Sequence, residues 1–399
     1  MRPNTGEAEA HLLLTEAGRA LLAEVSPVPR PGPADLARWR KRATAELVAA
    51  AVRLAECRRR AAAKFTRADA MWLEPTGLEQ ATAEPVARHK AVRFAGARVV
   101  DLCCGIGGDT LALAEKSEVI AVDRDLAMAR RCSWNSGVYG AGNRVLAVSG
   151  DAQRFEMPPG TLVHVDPDRR AHPGKSCRAV RLDGYEPALS FLHELIHSVP
   201  GGALKLGPAS DFEAHFGSGS CEIELISLRG ECKEATIWFG RLASCRRRAT
   251  LLPAGVSWTD RDRPARSTIR LPSEVASIKR WVFSPDPALV RAGLLDGFAA
   301  AHGLQRMSAG VDILTATELV ASPFLSAFEV LEELPVDLKR LRSAVARLGL
   351  GPLEIKVRGL DLRPETLRSQ LRPPGPNPAT LLLVGGPGLH RAILAQRRD

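Results

Sequence analysis

A short apolar segment that runs into a glycine-rich turn constrains the fold of this chain more than any other feature. Residues 99–114, VVDLCCGIGGDTLALA, are predicted to form a strand, a turn and the start of a helix. Glycines in such a turn let the backbone approach a nucleotide closely, and the following helix offers N–H groups and a positive dipole potential. Alone, a turn of this kind is a weak signal, so the surrounding residues decide what it binds.

Predicted strands and helices alternate from Arg98 onward. Strands are predicted at 99–102, 119–123, 145–149, 162–166 and 203–206, and helices at 110–116, 126–138 and 188–198. This alternation is typical of an α/β fold with a doubly wound, mostly parallel sheet of the Rossmann type. Two further strands, 221–228 and 235–239, are predicted to form an antiparallel pair at the edge of that sheet.

A chain of 399 residues is long enough for several domains. Residues 1–95 have apolar residues at helical spacing, which predicts an N-terminal helical region. The sheet domain is predicted at residues 96–245, and residues 246–280 are predicted to form a linker or an appended hairpin. Residues 281–399 are predicted to form a small C-terminal α/β domain, with helices at 289–302, 337–348 and 364–371 and strands at 353–357 and 380–384.

Acidic residues stand at the ends of four consecutive predicted strands, as Asp101, Asp123, Asp151 and Asp166. Because ligands bind outside the carboxyl ends of the strands in an open α/β sheet, we expect these acids to line one site. Asp123 is placed to accept hydrogen bonds from both hydroxyls of a ribose. Asp151 is placed to accept one from an adenine amino group. A simpler interpretation of both residues is that each caps the helix that follows it.

A nicotinamide-binding dehydrogenase is the main alternative for such a sheet. The dehydrogenase fingerprint requires a third small residue where this chain has Thr110. The Asp101 carboxylate would face a pyrophosphate unfavourably, whereas it can pair with the ammonium of a methionine moiety. The charges therefore favour S-adenosyl-L-methionine as the cofactor.

The pattern Asp-x-x-Cys-Gly-x-Gly at 101–107 resembles motif I of class I S-adenosylmethionine-dependent methyltransferases, particularly those that act on nucleic acid. The usual motif has glycine where this chain has Cys103. The wider arrangement resembles a bacterial methyltransferase family with a C-terminal THUMP-like domain. That resemblance is carried by GLEQAT at 77–82, DPDRR at 166–170, ALKLGP at 203–208 and GPNPAT at 375–380.

The resemblance implies a Rossmann-like class I methyltransferase sheet between the N-terminal helical region and a THUMP-like α/β domain. It also implies an RNA substrate, tRNA or rRNA, because true THUMP domains deliver tRNA to the catalytic domain. The predicted cofactor-binding residues are Asp101, Cys103, Gly105, Gly107, Asp123 and Asp151. Glu79-Gln80, just ahead of the sheet, is predicted to close over the cofactor or to make a helix-cap contact.

The end of the fourth strand departs from the pattern of enzymes that methylate an amino group on a base. Those enzymes carry Asp/Asn/Ser-Pro-Pro followed by an aromatic residue that stacks on the base, whereas this chain has Asp168 in place of the second proline and Arg169 in place of the aromatic residue. Asp166 can still orient an amine or accept a proton, and Arg169 can bind phosphate. Asp166, Pro167, Asp168 and Arg169 are the predicted catalytic residues, and the target atom stays open.

Composition favours a polyanionic partner. Lys and Arg number 55 against 45 Asp and Glu, for a net charge of +10. The eight cysteines include no CxxC pair, which argues against a metal site, and they suit reduced thiols in a cytoplasmic protein. No apolar run is long enough to predict a membrane span. Two alternatives stay open: a non-catalytic RNA-binding protein that keeps the methyltransferase fold, and a methyltransferase acting on a small molecule or a protein.

Overall fold

The computed structural model describes residues 5–169, 184–217, 219–262, 277–308, 310–373, 375–386 and 388–398. The chain divides into two compact units, which are Met1–Cys221 with Ile237–Ala243, and Glu222–Thr236 with Ser244–Asp399. In the described part of the chain, no helix is long and apolar enough to cross a membrane.

The first unit begins with six helices and continues as an alternating α/β region. Its helices are α1 (Thr5–Leu14), α2 (Glu16–Val25), α3 (Pro33–Arg40), α4 (Ala45–Ala61), α5 (Pro75–Gln80), α6 (Glu84–Ala91), α7 (Gly108–Leu113), α8 (Leu126–Val138), α9 (Leu189–Ser198) and α10 (Phe212–Phe216). Its strands are β1 (Arg98–Leu102), β2 (Glu118–Asp123), β3 (Val145–Ser149), β4 (Leu162–Val165), β5 (Asp168–Arg169), β6 (Tyr185–Glu186) and β7 (Gly201–Leu206).

The central strands of the first unit stand in the order β7-β4-β1-β2-β3, and every neighbouring pair is parallel. The side chains of β4 are all buried, as are those of β1 after its first residue, as expected for parallel strands covered on both faces. The predicted α/β fold with a mostly parallel sheet is therefore confirmed. Strands β5 and β6 form a separate antiparallel pair just beyond the end of β4.

The N-terminal helices pack on α7 and α8. Trp39 and Leu54 belong to the same apolar core as Ile106 and Leu111, which flank the start of α7. An ion pair accompanies this core, because the Arg131 guanidinium donates to both oxygens of Glu9 at 3.0 and 2.9 Å. These two side chains are only 4% and 10% exposed. The helical region is thus fixed to the sheet region by a core and by a buried charge pair.

The second unit contains two sheets. Its helices are α11 (Pro287–Arg291), α12 (Leu295–Ala301), α13 (Leu338–Arg347) and α14 (Pro364–Leu371). Its strands are β8 (Glu222–Leu228), β9 (Glu231–Gly240, of which the residues from Ile237 belong to the first unit), β10 (Arg247–Leu252), β11 (Val256–Thr259), β12 (Trp281–Pro285), β13 (Gln305–Arg306), β14 (Leu314–Ala316), β15 (Leu325–Leu334), β16 (Leu350–Arg358), β17 (Asn377–Gly386) and β18 (Leu389–Arg398). One sheet contains the run β11-β10-β8-β9, and the other has the order β13-β14-β12-β15-β18-β17-β16.

The C-terminal region has more strands than the sequence analysis predicts. Strands β12, β15 and β18 fall where no strand is predicted, and the predicted helix at 289–302 is divided into α11 and α12 at Gly293, whose φ is +69°. The sequences of β15 (LSAFEVLEEL) and β18 (LHRAILAQRR) are rich in residues that favour helices. Because β15 pairs with β12 on one side and β18 on the other, sheet pairing overrides that local preference.

Candidate active site

The predicted acids lie at or just beyond the carboxyl ends of four adjacent parallel strands. Asp101 lies in β1 and Asp123 is the last residue of β2, whereas Asp166 follows β4 and Asp151 follows β3 by two residues. Since the order is β4-β1-β2-β3 and all pairs are parallel, these four ends meet at one edge of the sheet. That edge is where open α/β sheets bind ligands.

The glycine-rich turn between β1 and α7 uses left-handed backbone at three positions. Cys103, Gly105 and Gly107 have φ of +60°, +54° and +92°. A Cβ added to Gly105 would meet no atom within 4 Å, whereas one added to Gly107 would lie 3.1 Å from Sγ of Cys132. Gly105 therefore borders open space that a ligand can use, and Gly107 allows α8 to pack against the turn.

Asp123 holds the turn from the end of β2. One oxygen accepts a hydrogen bond from the Gly105 N–H at 2.8 Å and the other accepts one from the Asp125 N–H at 2.9 Å. Burial raises the pKa of Asp123, and these two N–H donors oppose the rise. The cap of α8 is Asp125, whose carboxylate accepts from the Ala127 N–H at 2.8 Å, so Asp123 is not the helix cap.

Asp151 has the local role that the simpler interpretation assigned to it. Its exposed carboxylate accepts a hydrogen bond from the Gln153 N–H at 2.9 Å and caps the 3-10 turn Ala152–Arg154. The cap engages one carboxylate oxygen. The role of Asp151 as an adenine contact stays a prediction.

Asp101 belongs to a buried polar network beneath the turn. His164 Nδ1 lies 2.8 Å from Asp101 Oδ1, and the Thr110 hydroxyl donates to the other oxygen. Both Asp101 and His164 are 1% exposed. The structure thus places both oxygens of Asp101 on protein groups, and a direct contact with the cofactor ammonium stays a prediction.

The same network continues to α6 and to the first turn of α7. Lys90 Nζ lies 2.8 Å from Asp109 Oδ1 and 3.4 Å from His164 Nε2, and Lys90 is 1% exposed. The Thr82 hydroxyl donates to the second oxygen of Asp109 at 2.6 Å. Burial alone would raise the pKa of Asp109, but the Lys90 ammonium and His164 hold that pKa well below its usual range.

Lys90, Asp109, Thr82 and His164 are not among the site residues predicted from the sequence. One signal could have found Lys90. On α6 it follows the buried residues Val86 and Ala87 by four and three positions, which places it on the inward face.

The Asp166-Pro167-Asp168 segment meets two residues from elsewhere in the unit. Lys205 Nζ lies 2.6 Å from Asp166 Oδ2 and donates to the Gln80 carbonyl at 3.2 Å. The Gln80 side-chain amide donates to Asp168 at 2.9 Å. Burial raises the pKa of Asp166, and the Lys205 ammonium opposes that rise. Gln80 and Lys205 thus hold two of the four predicted catalytic residues in place.

The remaining two predicted catalytic residues flank Asp168. Pro167 is buried, and the backbone of Arg169 pairs with Tyr185 of β6. The side chain of Arg169 and all of Arg170 lie outside the described residues. At this rim, Arg124 Nη1 lies 2.8 Å from Glu186 Oε2, a contact that the sequence analysis did not predict. Across the described ranges, no group of three or more His, Cys, Asp or Glu could hold a metal ion.

Three family models match the chain. The RNA cap guanine-N2 methyltransferase model matches residues 96–191, and the THUMP domain-like model matches residues 325–397. A model of a domain of unknown function matches residues 7–61. The first match covers the turn and all four strand-end acids.

Two proteins of Mycobacterium tuberculosis, from strains CDC 1551 / Oshkosh and ATCC 25618 / H37Rv, are described as S-adenosylmethionine-dependent methyltransferases. Each is 35% identical to this chain over 336 residues, which is 82% of this chain and 90% of the relative. The chain belongs to this methyltransferase family. The crystal structure of a methyltransferase candidate from Porphyromonas gingivalis W83 shares the fold, with a TM-score of 0.76 and 21% identity over 95% of this chain and 98% of that one.

The methyltransferase uses S-adenosyl-L-methionine, and the residues at the sheet edge fit that cofactor. Gly105 leaves open space above the turn, and the Asp123 carboxylate is held at the end of the neighbouring strand by two backbone N–H groups. A carboxylate there suits a ribose, because it can accept hydrogen bonds from both hydroxyls. The resemblance to class I enzymes with a THUMP-like domain is thus confirmed.

Cys103 and Gly107 of the methyltransferase both have left-handed backbone, and substitutions at these two positions are expected to change the free energy of unfolding in opposite directions. Cys103→Gly is expected to raise the free energy of unfolding by about 0.5–1 kcal/mol, because a side chain in this conformation costs more than the added freedom of glycine. Gly107→Ala is expected to lower it by more than about 1 kcal/mol, because its Cβ meets Cys132. Urea unfolding curves measure both. A destabilised Cys103→Gly variant would mean that the Cys103 side chain contributes packing that outweighs its backbone strain.

Proposed function

We propose that this methyltransferase methylates a base of RNA, in tRNA or rRNA. The observation that carries the proposal is the pairing, in one chain, of an RNA cap guanine-N2 methyltransferase match over the catalytic sheet with a THUMP domain-like match near the C-terminus. The net charge of +10 supports a polyanionic substrate. A cytoplasmic location fits this function and the seven free thiols among the described cysteines.

We assign the cofactor to the turn and the neighbouring strand ends. Asp123 binds the ribose hydroxyls, Asp151 the adenine amino group, and the turn contacts the methionine part. The proposed cofactor-binding residues are Asp101, Cys103, Gly105, Gly107, Asp123 and Asp151. The bound cofactor supplies a methyl group on a sulfonium, which is already electrophilic, so the protein contributes mainly position and orientation.

The substrate base is assigned to the segment that follows β4. Lys205, 2.6 Å from Asp166, favours the ionised form of that carboxyl, which can then accept a hydrogen bond from an attacking amine and orient its lone pair toward the methyl group. Gln80 holds Asp168 from the other side of the same segment. We assign catalysis to Asp166, Pro167, Asp168 and Arg169, with Gln80 and Lys205 as positioning residues.

Methyl transfer to RNA tests the proposal directly. The purified protein, given S-adenosyl-L-methionine with a tritiated methyl group, is expected to label RNA from cells that lack the gene and to leave RNA from the parent cells unlabelled. Mass spectrometry of the nucleosides then identifies the methylated base. Asp166→Asn is expected to lower the rate at least about tenfold, because the amide is a weaker acceptor, while cofactor affinity is unchanged.

The outcomes separate the candidate functions. Cofactor binding without transfer to any RNA fraction, together with salt-dependent RNA binding, would favour the non-catalytic RNA-binding protein, which the Asp168 and Arg169 replacements make the second candidate. Transfer to a small molecule or a protein in a cell extract, with no transfer to RNA, would overturn the RNA assignment. An Asp166→Asn variant with full activity would remove Asp166 from the reaction.

A further inference from the structure

Two adjacent helices of the second unit carry a concentration of positive charge. Helix α13, LKRLRSAVAR, contains four basic residues and no acidic one. Its apolar side, with Leu341, Ala344 and Val345, is buried in the core of the unit. The basic side chains therefore point outward, and all four basic residues of the helix are exposed.

Helix α14 extends this charged surface. The Arg342 Nε donates to the Gln370 carbonyl at 2.8 Å, which fixes the two helices side by side. Arg363 precedes α14, Arg368 lies in it and Arg372 follows it, and all three are exposed. Glu365 is the one acidic residue in α14.

Most exposed cations on these two helices lack the carboxylate partners that three exposed arginines elsewhere in the same unit have. Arg280, just before β12, and Arg398 in β18 each lie 2.8 Å from a carboxylate oxygen of Glu329, and Arg391 in β18 lies 2.8 Å from Glu333. On the helices, Arg347 pairs with Glu332 and Arg342 donates to the Gln370 carbonyl, whereas the other five basic side chains form no ion pair with any described residue. We call these five the basic helix face: Lys339, Arg340, Arg363, Arg368 and Arg372.

Cations concentrated on two packed helices without carboxylate partners repel one another, so the arrangement costs stability unless an anion covers it. Four of the five are arginines, whose planar donors match phosphate oxygens in two parallel hydrogen bonds. An amphipathic helix that binds a membrane inserts its apolar side, but the apolar side of α13 is already buried, with Leu341 at 1% and Val345 at 0% exposure. The chemistry of this surface therefore fits a chain of phosphates in water.

We propose that the basic helix face binds the sugar–phosphate backbone of the RNA substrate. This inference rests on the proposed function, and it adds the surface by which the RNA is held. Contacts to phosphate give affinity and position without reading sequence. The surface is thus expected to bind different RNAs with similar strength, while the selection of the base occurs at the active site.

The test compares two triple variants of the full-length protein that remove the same charge. The first is Lys339→Gln/Arg340→Gln/Arg368→Gln on the basic helix face. The matched control is Arg280→Gln/Arg391→Gln/Arg398→Gln, which removes three cations that are paired with glutamates. Binding of bulk tRNA is measured by fluorescence anisotropy between 50 and 300 mM salt (roughly the range in which phosphate contacts dominate), and cofactor binding is measured by calorimetry.

The helix variant is expected to bind tRNA at least about tenfold more weakly, with a log–log salt slope shallower by about 2 units, as three lost phosphate contacts require. The control is expected to stay within about threefold of the wild type, because its arginines are already neutralised. Unchanged cofactor affinity in both variants shows that the first unit is intact.

The remaining outcomes overturn the proposal and are distinguishable from failure of the proposed function. If the wild type methylates RNA but the helix variant binds tRNA with unchanged affinity and salt slope, the basic helix face does not bind the RNA, while the proposed RNA methylation is retained. Equal losses in the two variants would also overturn the surface, because only net charge would then matter. If the wild type neither binds nor methylates RNA, both fail. If the wild type binds anionic vesicles but not tRNA, and the helix variant loses the vesicle binding, the partner of the basic helix face is a membrane surface and not RNA.

Discussion

Asp123→Ala is expected to weaken the binding of S-adenosyl-L-methionine by at least about 100-fold. A carboxylate that accepts two hydrogen bonds from ribose hydroxyls contributes about 1.5–3 kcal/mol for each of them. The substitution also removes the acceptor of the Gly105 N–H, so the glycine-rich turn loses its link to the end of β2. Isothermal titration calorimetry of the full-length protein measures the change.

The control for this substitution lies two residues away. Asp125→Asn removes the same charge, but asparagine can still cap α8 by accepting from the Ala127 N–H. Its cofactor affinity is expected to stay within about twofold of the wild type, because long-range charge effects in solvent are screened. If the two variants bind the cofactor equally, Asp123 does not contact it.

Lys90→Met is expected to lower the free energy of unfolding by about 3–5 kcal/mol, since removing one partner of a buried ion pair leaves the other charge uncompensated. Asp109, 2.8 Å from the Lys90 ammonium, would keep the hydrogen bond from Thr82 and the more distant His164 Nε2 at 3.9 Å. Burial raises the pKa of Asp109 and the Lys90 ammonium lowers it, so this pKa would rise in the variant. Urea unfolding followed by circular dichroism measures the loss.

A double variant distinguishes the charge from the shape of the site. Lys90→Met/Asp109→Leu removes both charges and is expected to recover most of the loss, short of the wild type by about 1 kcal/mol because the Thr82 hydroxyl loses its acceptor. A Lys90→Met variant within about 1 kcal/mol of the wild type would contradict a structural role for the ion pair.

The residues of the site that can be predicted from the sequence are those marked by a pattern in the neighbouring residues. The acids at the strand ends follow apolar segments with a clear period, so their common edge follows from the parallel order. The network under the turn has no local signal, because its contacts join residues far apart, such as Lys90 and His164, which are 74 residues apart. For the same reason, the contacts of Asp166 with Lys205 and of Asp168 with Gln80 appear only once the chain is folded.

The prediction of the fold from sequence is limited in the same way. Helix α8 and strand β3 begin and end at the predicted residues, because each combines a consistent period with a clear boundary. Strands β15 and β18 have a helix-favouring composition, and their conformation depends on neighbours from distant parts of the chain. Cys103 is predictable from the sequence in one respect and not in another. The departure from glycine is visible in the sequence, but its left-handed backbone is visible only in the structure.

The buried pair of Glu9 and Arg131 bears on how the chain folds during synthesis. Glu9 leaves the ribosome 122 residues before Arg131, and its carboxylate stays hydrated until α8 emerges. Helices α1 and α2 can form early, but they reach their final packing only when the first three strands of the sheet region are being completed. The N-terminal helices therefore complete their packing together with the sheet region, and a nascent chain that ends before α8 leaves the Glu9 carboxylate without its Arg131 partner.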